Sequence, residues 1–350
     1  EEIPEAFRSL LARGVKSRFV GYDTLASEAQ VTALLSGGKG TTRIEIGSKA
    51  EVILDQTPCY GKAGGQVGDV VWLLNGKVRF RVTDTLKFDQ NLIVHEGVLE
   101  LGSISLGDKL EAQVGEETRS ATVRNHSATH LLHAALREIL GDHVKQAGSL
   151  VAPNRLRFDF SHFTQVSADK LMEVESLVNK HIRENLPLDT KEMSKDEAMK
   201  TGAMAIFEER YGKTVRLVRI GDGVSMELCG GTHTSRTGDI GLFRIVNESA
   251  VAANVRRIEA LTGEPALQYD QKLEKDLKAA ALLLKSAPDQ LRTRIERLLK
   301  EHKEKEREIE SLKSKLLSKK SQDLLSGVRE IGGIKVIARE MDAGSPKELR

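Results

Sequence analysis

Hydrophobic and polar positions change rhythm several times along this chain, and each change predicts a different kind of element. Residues 1–14 place Ile3, Phe7, Leu10 and Leu11 on one helical face, which predicts a short amphipathic helix. From Phe19 to about Gly115 the pattern becomes short β-rich stretches: Arg43–Ile46, Val52–Leu54, Val70–Leu74, Val78–Thr83 and Leu92–Leu99, separated by Gly, Asp and Asn turns. That alternation predicts an antiparallel barrel or sandwich. A glycine-rich loop, residues 55–69, interrupts it.

A helix is then expected from Glu117 to Leu140, followed by strands at Gly148–Leu150 and Leu156–Phe160. A second long helix should run from Ser167 to Asn185, with Ser167 as N-cap and Pro187 as stop. Ser194 should cap another short helix that ends at Thr201. Further strands are expected at Thr214–Ile220, Ser225–Leu228, Gly241–Glu248 and Arg256–Leu261. From Leu267 to about Leu325, Lys, Glu, Arg and Leu dominate. Leu291, Ile295, Leu298, His302, Lys305, Ile309, Leu312 and Leu316 alternate spacings of four and three, a heptad seam with polar interruptions. With Pro288 as a break, this predicts a helical hairpin or a coiled coil. Val328 to Arg339 carries a Gly-Gly turn leading into a strand. The fold class is therefore α+β, with a barrel-like module at 1–116, a mixed α+β domain at 117–264, a helical hairpin or coiled coil at 265–327, and the start of a further domain at 328–350. No internal repeat is evident.

Composition narrows the class. The chain has 350 residues, enough for two or three domains, and is 39% hydrophobic and 30% charged. A net charge of +2 does not by itself point to nucleic acid. No apolar run is long enough to cross a membrane, so no membrane partner is expected. Two cysteines cannot make a disulfide framework, which points to a reducing compartment. The chain opens with Glu1-Glu2-Ile3 rather than Met, and no leader pattern precedes it. A processed chain or an excised fragment is expected, located in the cytoplasm, or in an organelle if a leader has been lost.

The chemistry concentrates in two short motifs. His126 and His130 lie four apart on the first long helix, so both imidazoles share one face. Cys229 and His233 repeat that spacing around Gly230-Gly231, a pair suited to a tight loop. Three imidazole nitrogens and one sulfur suit a tetrahedral zinc site. The alternatives are a structural zinc knot or histidines satisfied in a core. His133 is a weaker candidate ligand, since it lies partly round the helix from His126. Gln66, in Ala63-Gly-Gly-Gln-Val-Gly68, offers an amide to a ligand where glycines allow close approach, although on spacing alone a plain β-turn is the better account. Gln146 and Lys145 follow the metal helix and are expected near the metal. Arg155 and Arg157 alternate with apolar residues on a strand and can meet phosphates, or simply face solvent. Asp159 is either an outer carboxylate for a ligand histidine or a surface carboxylate.

Taken in order, Gly64-Gly65-Gln66, Asn125-His126-Ser-Ala-Thr-His130, Gln146-Ala-Gly-Ser149, Arg157-Phe-Asp-Phe-Ser-His162 and Cys229-Gly-Gly-Thr-His233 resemble the editing region of the alanyl-tRNA synthetases. The resemblance covers nearly the whole chain. The threonyl-tRNA synthetase editing domain shares the two metal motifs, while the Gly-Gly-Gln loop and the helical tail look like the alanine family. The family more often has an aromatic residue where Cys59 stands and Glu-Ser where Lys62-Ala63 stand. Cys59 reads as an incidental buried residue.

The resemblance implies zinc-dependent hydrolysis of the ester in tRNA-Ala mischarged with serine or glycine. It implies His126, His130, Cys229 and His233 as zinc ligands, with Cys229 and Gln146 in the catalytic machinery. Gln66, Thr129, Gln146 and Arg157 would contact substrate. Nothing in the chain reads as the ATP-dependent activation domain, so ATP is expected only in a part of the parent enzyme that is missing here. The heptads allow a dimer. The competing readings are a free-standing trans-editing deacylase and a structural-zinc RNA-binding module.

Overall fold

A computed structural model describes residues 3–89, 91–204, 212–325 and 328–337. It falls into two compact units, Glu1–Tyr269 and Asp270–Arg350. The two modules expected at 1–116 and 117–264 thus lie within one unit.

The first unit opens with helix α1 (Glu5–Ala12) and continues into strands β1 (Ala26–Ser36), β2 (Lys49–Leu54), β3 (Val71–Asn75), β4 (Val78–Phe88), β5 (Leu92–Leu101) and β6 (Lys109–Val114). They pair in the order β6-β3-β4-β5-β2-β1, and β1 also pairs with β6, which closes an antiparallel barrel. Closure removes the exposed sheet edges that an open sheet would carry. Alternate residues (Leu34, Val52, Leu54, Leu73, Phe80, Val82, Leu110) fill the interior. The other parity of β1 and β2 (Leu35, Ile53) is also apolar and lies under Phe7 and Leu10 of α1. A bulge between Val31 and Ala33 marks where β1 begins to bury both faces. The sequence pattern did not predict β1, because its first half, Ala-Ser-Glu-Ala-Gln, is small and polar.

The second half of this unit contains α2 (Glu116–Leu140), β7 (Gln146–Ala152), β8 (Arg155–Ser161), α3 (Ala168–Arg183), β9 (Leu188–Ser194), α4 (Lys195–Lys200), β10 (Thr214–Ile220), β11 (Ser225–Leu228), β12 (Phe243–Ala252) and β13 (Val255–Thr262). One sheet runs β7-β8-β13-β12 and a smaller one β9-β10-β11. The larger sheet presents Phe158, Phe160, Phe243 and Ile258 to Leu131, Leu132 and Leu136 of α2 and to Val174, Val178 and Ile182 of α3. Ser167 caps α3, accepting from the Lys170 N–H, and Ser194 forms a capping box with Glu197, both as the sequence predicts. Strand β9 was not predicted because Leu-Asp-Thr-Lys-Glu-Met-Ser leaves most of its residues exposed.

Two connections bind the barrel to this second half. Arg119, on the first turns of α2, is buried against Asp69, with Nη2 2.5 Å from Oδ2. It also donates to the carbonyls of Gly21 (2.8 Å) and Pro58 (2.7 Å). The glycine-rich loop supplies the second connection. Val67 N–H donates to Val151 O (3.0 Å), and Val151 N–H donates to Gly65 O (2.7 Å), so the loop extends the larger sheet beyond its edge strand β7.

Helix α5 (Gly263–Leu283) leads out of the first unit. In the second unit a short 3-10 turn, Pro288–Gln290, starts helix α6 (Leu291–Leu325), and a two-stranded hairpin (Arg329–Ile331, Ile334–Val336) follows. The Pro288 break and the long helix are as expected. Leu291 and Leu298 at the start of the seam are partly buried, while Ile309, Leu312 and Leu316 stay 53, 51 and 61% exposed, with no partner among the described residues. The seam's polar interruptions at His302 and Lys305 leave little continuous apolar surface to bury. The remainder of the expected C-terminal domain, 338–350, lies outside the described residues. No described helix is long and apolar enough to cross a membrane.

Replacing Arg119 with Met should strand the Asp69 carboxylate in a buried site. The expected loss is about 3–5 kcal/mol, read from the denaturation midpoint, and an unchanged midpoint would show that the pair does not hold the halves together.

His95 is fully buried in the barrel wall, between Thr57 Oγ1 (2.9 Å) and the Val52 carbonyl (2.9 Å). A carbonyl can only accept, so Nδ1 carries the proton. Burial pushes the imidazole pKa down to about 4. Folding therefore excludes a proton that the unfolded chain binds below about pH 6.5. This contribution is complete above that pH and is lost as pH falls towards 4, by roughly 1.4 kcal/mol per pH unit. His95→Gln should flatten the acid limb of stability against pH by that slope.

Candidate metal centre

The site grows from one face of α2. His126 and His130 are both buried there, with ring centroids 5.4 Å apart and planes within 10°. The facing pair comes from the turn that leaves β11. Cys229 follows directly on that strand, and its N–H donates to Arg216 O (2.9 Å) on β10. The chain then curls through Gly230 and Gly231. A Cβ on Gly231 would sit 2.0 Å from His126 Cε1, so only glycine lets the backbone approach the ring. Tyr22 of the barrel donates from its hydroxyl to Gly230 O (2.7 Å). Arg216 donates to Gly231 O (2.8 Å) and stacks its guanidinium 4.2 Å from the Tyr22 ring centre. Ser127, one residue after His126, accepts from the Thr234 N–H (3.0 Å), which ties the far end of the turn to the helix.

These contacts bring the donor atoms of His126, His130, Cys229 and His233 within 4.8 Å of one another. His126 Nε2 lies 3.3 Å from Cys229 Sγ, and His130 Nε2 lies 3.0 Å from His233 Nε2. Burial alone would keep Cys229 a thiol, but the neighbouring imidazoles, His126 first, outweigh it and favour the thiolate. Burial, helped by the neighbouring His126 and His130, favours neutral His233. A thiolate and a neutral imidazole are the forms that bind metal. The four residues could hold a metal ion, and the donor set fits a tetrahedral site. Cys229 and His233 are only partly buried, so the cluster is approachable from their side.

Each helix imidazole is anchored through its other nitrogen. His130 Nδ1 donates to Glu227 Oε2 (2.7 Å), and His133 Nδ1 meets Glu227 Oε1 (3.0 Å). Burial would raise the Glu227 pKa, but the two imidazoles outweigh it and keep the carboxylate ionised. Burial likewise works against charge on His130, and Glu227 reverses that and raises it. The sequence reading missed Glu227. Its signal was there: it stands two residues before Cys229, on the same face of an extended chain. The outer carboxylate is therefore Glu227 rather than Asp159, which pairs instead with Arg257 at 2.6 and 2.8 Å. His133 belongs to this outer layer and not to the donor cluster.

The other expected residues are dispersed. Gln66 is 1% exposed, and both ends of its amide are engaged: Oε1 lies 2.7 Å from His126 Nδ1, and Nε2 donates to Thr232 Oγ1 (2.9 Å). It touches a donor residue rather than lining open space. Gln146, partly buried, donates to Ser149 Oγ (3.2 Å), and Ser149 packs against Gly65, so Gln146 shares an edge with the barrel loop. The Thr129 hydroxyl is buried and donates to Asn125 O one turn back (2.8 Å), which leaves its proton committed to the helix. Arg157 lies on β8 with Nε 3.5 Å from Asp159 Oδ2, in a row of charged pairs away from the cluster. Cys59 is fully buried in the barrel core, and burial pushes its thiol up to about 12, which makes it inert.

Two family models match the chain. Residues 2–118 match the class II (A) tRNA synthetases, and residues 215–259 match the second additional domain of threonyl and alanyl tRNA synthetases. The second match contains Glu227, Cys229 and His233. Along most of its length the chain is similar to alanine--tRNA ligases. It is 47% identical to that of Desulfosudis oleivorans over 99% of the chain, 49% to that of Halorhodospira halophila over 96%, and 46% to that of Polaromonas sp. over 98%. The chain spans 38 to 40% of the length of these relatives.

Gly231→Ala should displace the turn or the His126 ring, since the added carbon has no room. We expect a loss of about 1–3 kcal/mol in stability, the usual cost of overpacking, and a crystal structure with His126 unmoved would contradict the account.

Proposed function

The chain belongs to the alanine--tRNA ligase family, and we propose that its His126, His130, Cys229 and His233 cluster is a zinc-dependent proofreading site that hydrolyses tRNA-Ala mischarged with serine or glycine. The observation that carries this reading is the convergence of one cysteine sulfur and three imidazoles, partly open to solvent, with Cys229 and His233 inside the segment that matches the second additional domain.

The need for such a site is physical. Serine exceeds alanine by a hydroxyl and glycine lacks a methyl. A charging pocket discriminates against changes of that size by only about 10–200-fold, so a second, hydrolytic sieve is the remedy. Bound zinc would supply Lewis acidity, activating water or polarising the ester. The chain's own residues hold the donors: Glu227 fixes His130, while Arg216 and Tyr22 hold the turn that carries Cys229 and His233. Gln146, beside the barrel loop, is the group we assign to the aminoacyl moiety, where an amide can accept from the serine hydroxyl. Thr129 would have to release its bond to Asn125 O to donate there, though its oxygen can still accept. Arg157 approaches Asp159 through Nε alone, which leaves its Nη donors to meet tRNA phosphate. Within this proposal, ATP-dependent charging belongs to other parts of a longer ligase, and a dimer would use the exposed seam of α6.

Release of serine from Ser-tRNA-Ala, followed with zinc and with a chelator, tests the reading. We expect Cys229→Ala to lower turnover roughly 100-fold or more. Unchanged turnover at full metal content would sink the catalytic role of the metal. RNA binding that survives chelation, with no hydrolysis by the loaded protein, would favour a structural-zinc RNA-binding module.

A further inference from the structure

Gln66 lies in the barrel half of the first unit, yet its amide is buried against the donor turn. Oε1 accepts from the Thr232 backbone N–H (3.1 Å). A backbone N–H can only donate, so this contact fixes which end of the amide is oxygen, an assignment otherwise open for any glutamine. The same Oε1 lies 2.7 Å from His126 Nδ1. An amide oxygen cannot donate, so Nδ1 must carry the proton. In the neutral ring that metal binding requires, His126 Nε2 is then the nitrogen with the lone pair, on the side where Cys229 Sγ lies 3.3 Å away.

We propose that Gln66 is a positioning residue of the metal centre. It sets the tautomer and ring angle of His126 and ties that ring to the Cys229–His233 turn through the Thr232 N–H. This goes beyond the hydrolytic reading and rests on it only for the identity of the metal. It also accounts for the glycines of the loop. Gly64 and Gly65 take φ of +58° and +88°, a region unfavourable to other residues. A Cβ on Gly65 would lie 2.1 Å from Ser149 Oγ. The two glycines thus let the loop lie against β7, and the loop's bonds to Val151 then deliver Gln66 to His126. On the other side Gly231 crowds the same ring, and its missing Cβ would stand 3.0 Å from Gln66 Oε1. His126 is held between the loop of the barrel and the turn that carries the other donors. Glu227 does the same for His130 from the opposite direction. An acceptor behind a metal-binding imidazole fixes its ring orientation and raises its basicity, and both helix donors have one.

The test compares Gln66→Met, which keeps length and loses the acceptor, with Gln66→Glu, which keeps an acceptor for both His126 and the Thr232 N–H. Zinc affinity of the whole chain is measured by competition with a chromophoric chelator, and cobalt is used as a spectroscopic probe. We expect Gln66→Met to weaken zinc by about 10–100-fold and to alter the visible cobalt spectrum, with Gln66→Glu close to the parent in both. Parental affinity and spectrum in a folded Gln66→Met protein would overturn the proposal, as would equal losses in both variants. Should Gln66→Met fail to fold, imidazole nitrogen NMR of the zinc-loaded parent decides. A protonated His126 Nδ1 supports the assignment, and zinc on Nδ1 refutes it. These readouts are independent of hydrolysis. If the parent chain binds zinc but leaves Ser-tRNA-Ala intact, the proofreading reading fails while the affinity comparison still judges Gln66.

Discussion

Imidazoles buried along a helix need acceptors for their N–H groups, and that need organises the first unit. His126, His130 and His133 are each 3 to 4% exposed on α2, out of reach of bulk water. A helix cannot supply the acceptors, since its own carbonyls are used along its length. They arrive from two other places: the Gln66 amide from the barrel loop and the Glu227 carboxylate from the small sheet. An unmade bond in such surroundings costs about 1–3 kcal/mol. Meeting these N–H groups therefore selects one way of packing barrel, helix and small sheet together, while the remaining ring nitrogen of His133, Nε2, is buried without a partner among the described residues.

The donor cluster was legible in the sequence because it depends on local periodicity. Spacing of four on a helix and around a Gly-Gly turn is a property of chain geometry, and both pairs point where the spacing says. The outer partners were harder to read. Gln66 and His126 are sixty residues apart and Glu227 and His130 ninety-seven, and no local rhythm links them. Asp159 looked eligible on residue type alone, but its strand turns it towards Arg257. The same division holds for the fold. Helices with capping serines and strands with apolar alternation were found, while β1 and β9 were not, because the first half of β1 and most of β9 are polar and long-range pairing, not a local apolar rhythm, holds them in their sheets. The heptad seam of α6 predicted a helix correctly, but periodicity alone does not choose the helix's partner.

Charge is placed with similar economy around the turn. Arg216 brings a full positive charge close to a thiolate-favouring cysteine, and it does so while bonded to the turn's own carbonyls and stacked on Tyr22. The guanidinium also lies 3.4 Å from His233 Nδ1, so it bears on one donor ring directly. Arg119 plays the matching part at the root of α2, where it satisfies the carbonyls of Gly21 and Pro58 as well as Asp69. Both arginines join the barrel to the second half, Arg119 from the first turns of α2 and Arg216 from β10.

The glycine-rich loop has one more effect. Strand β7 is the outermost strand of the larger sheet, and an outermost strand presents unpaired backbone groups to any other chain. By bonding to both backbone groups of Val151, the loop occupies part of that edge from within the same molecule. The segment that carries Gln66 is thus also a guard against self-association. Changes to its glycines put solubility and assembly at risk together with the site, and the loop is constrained twice over for reasons that have nothing in common but position.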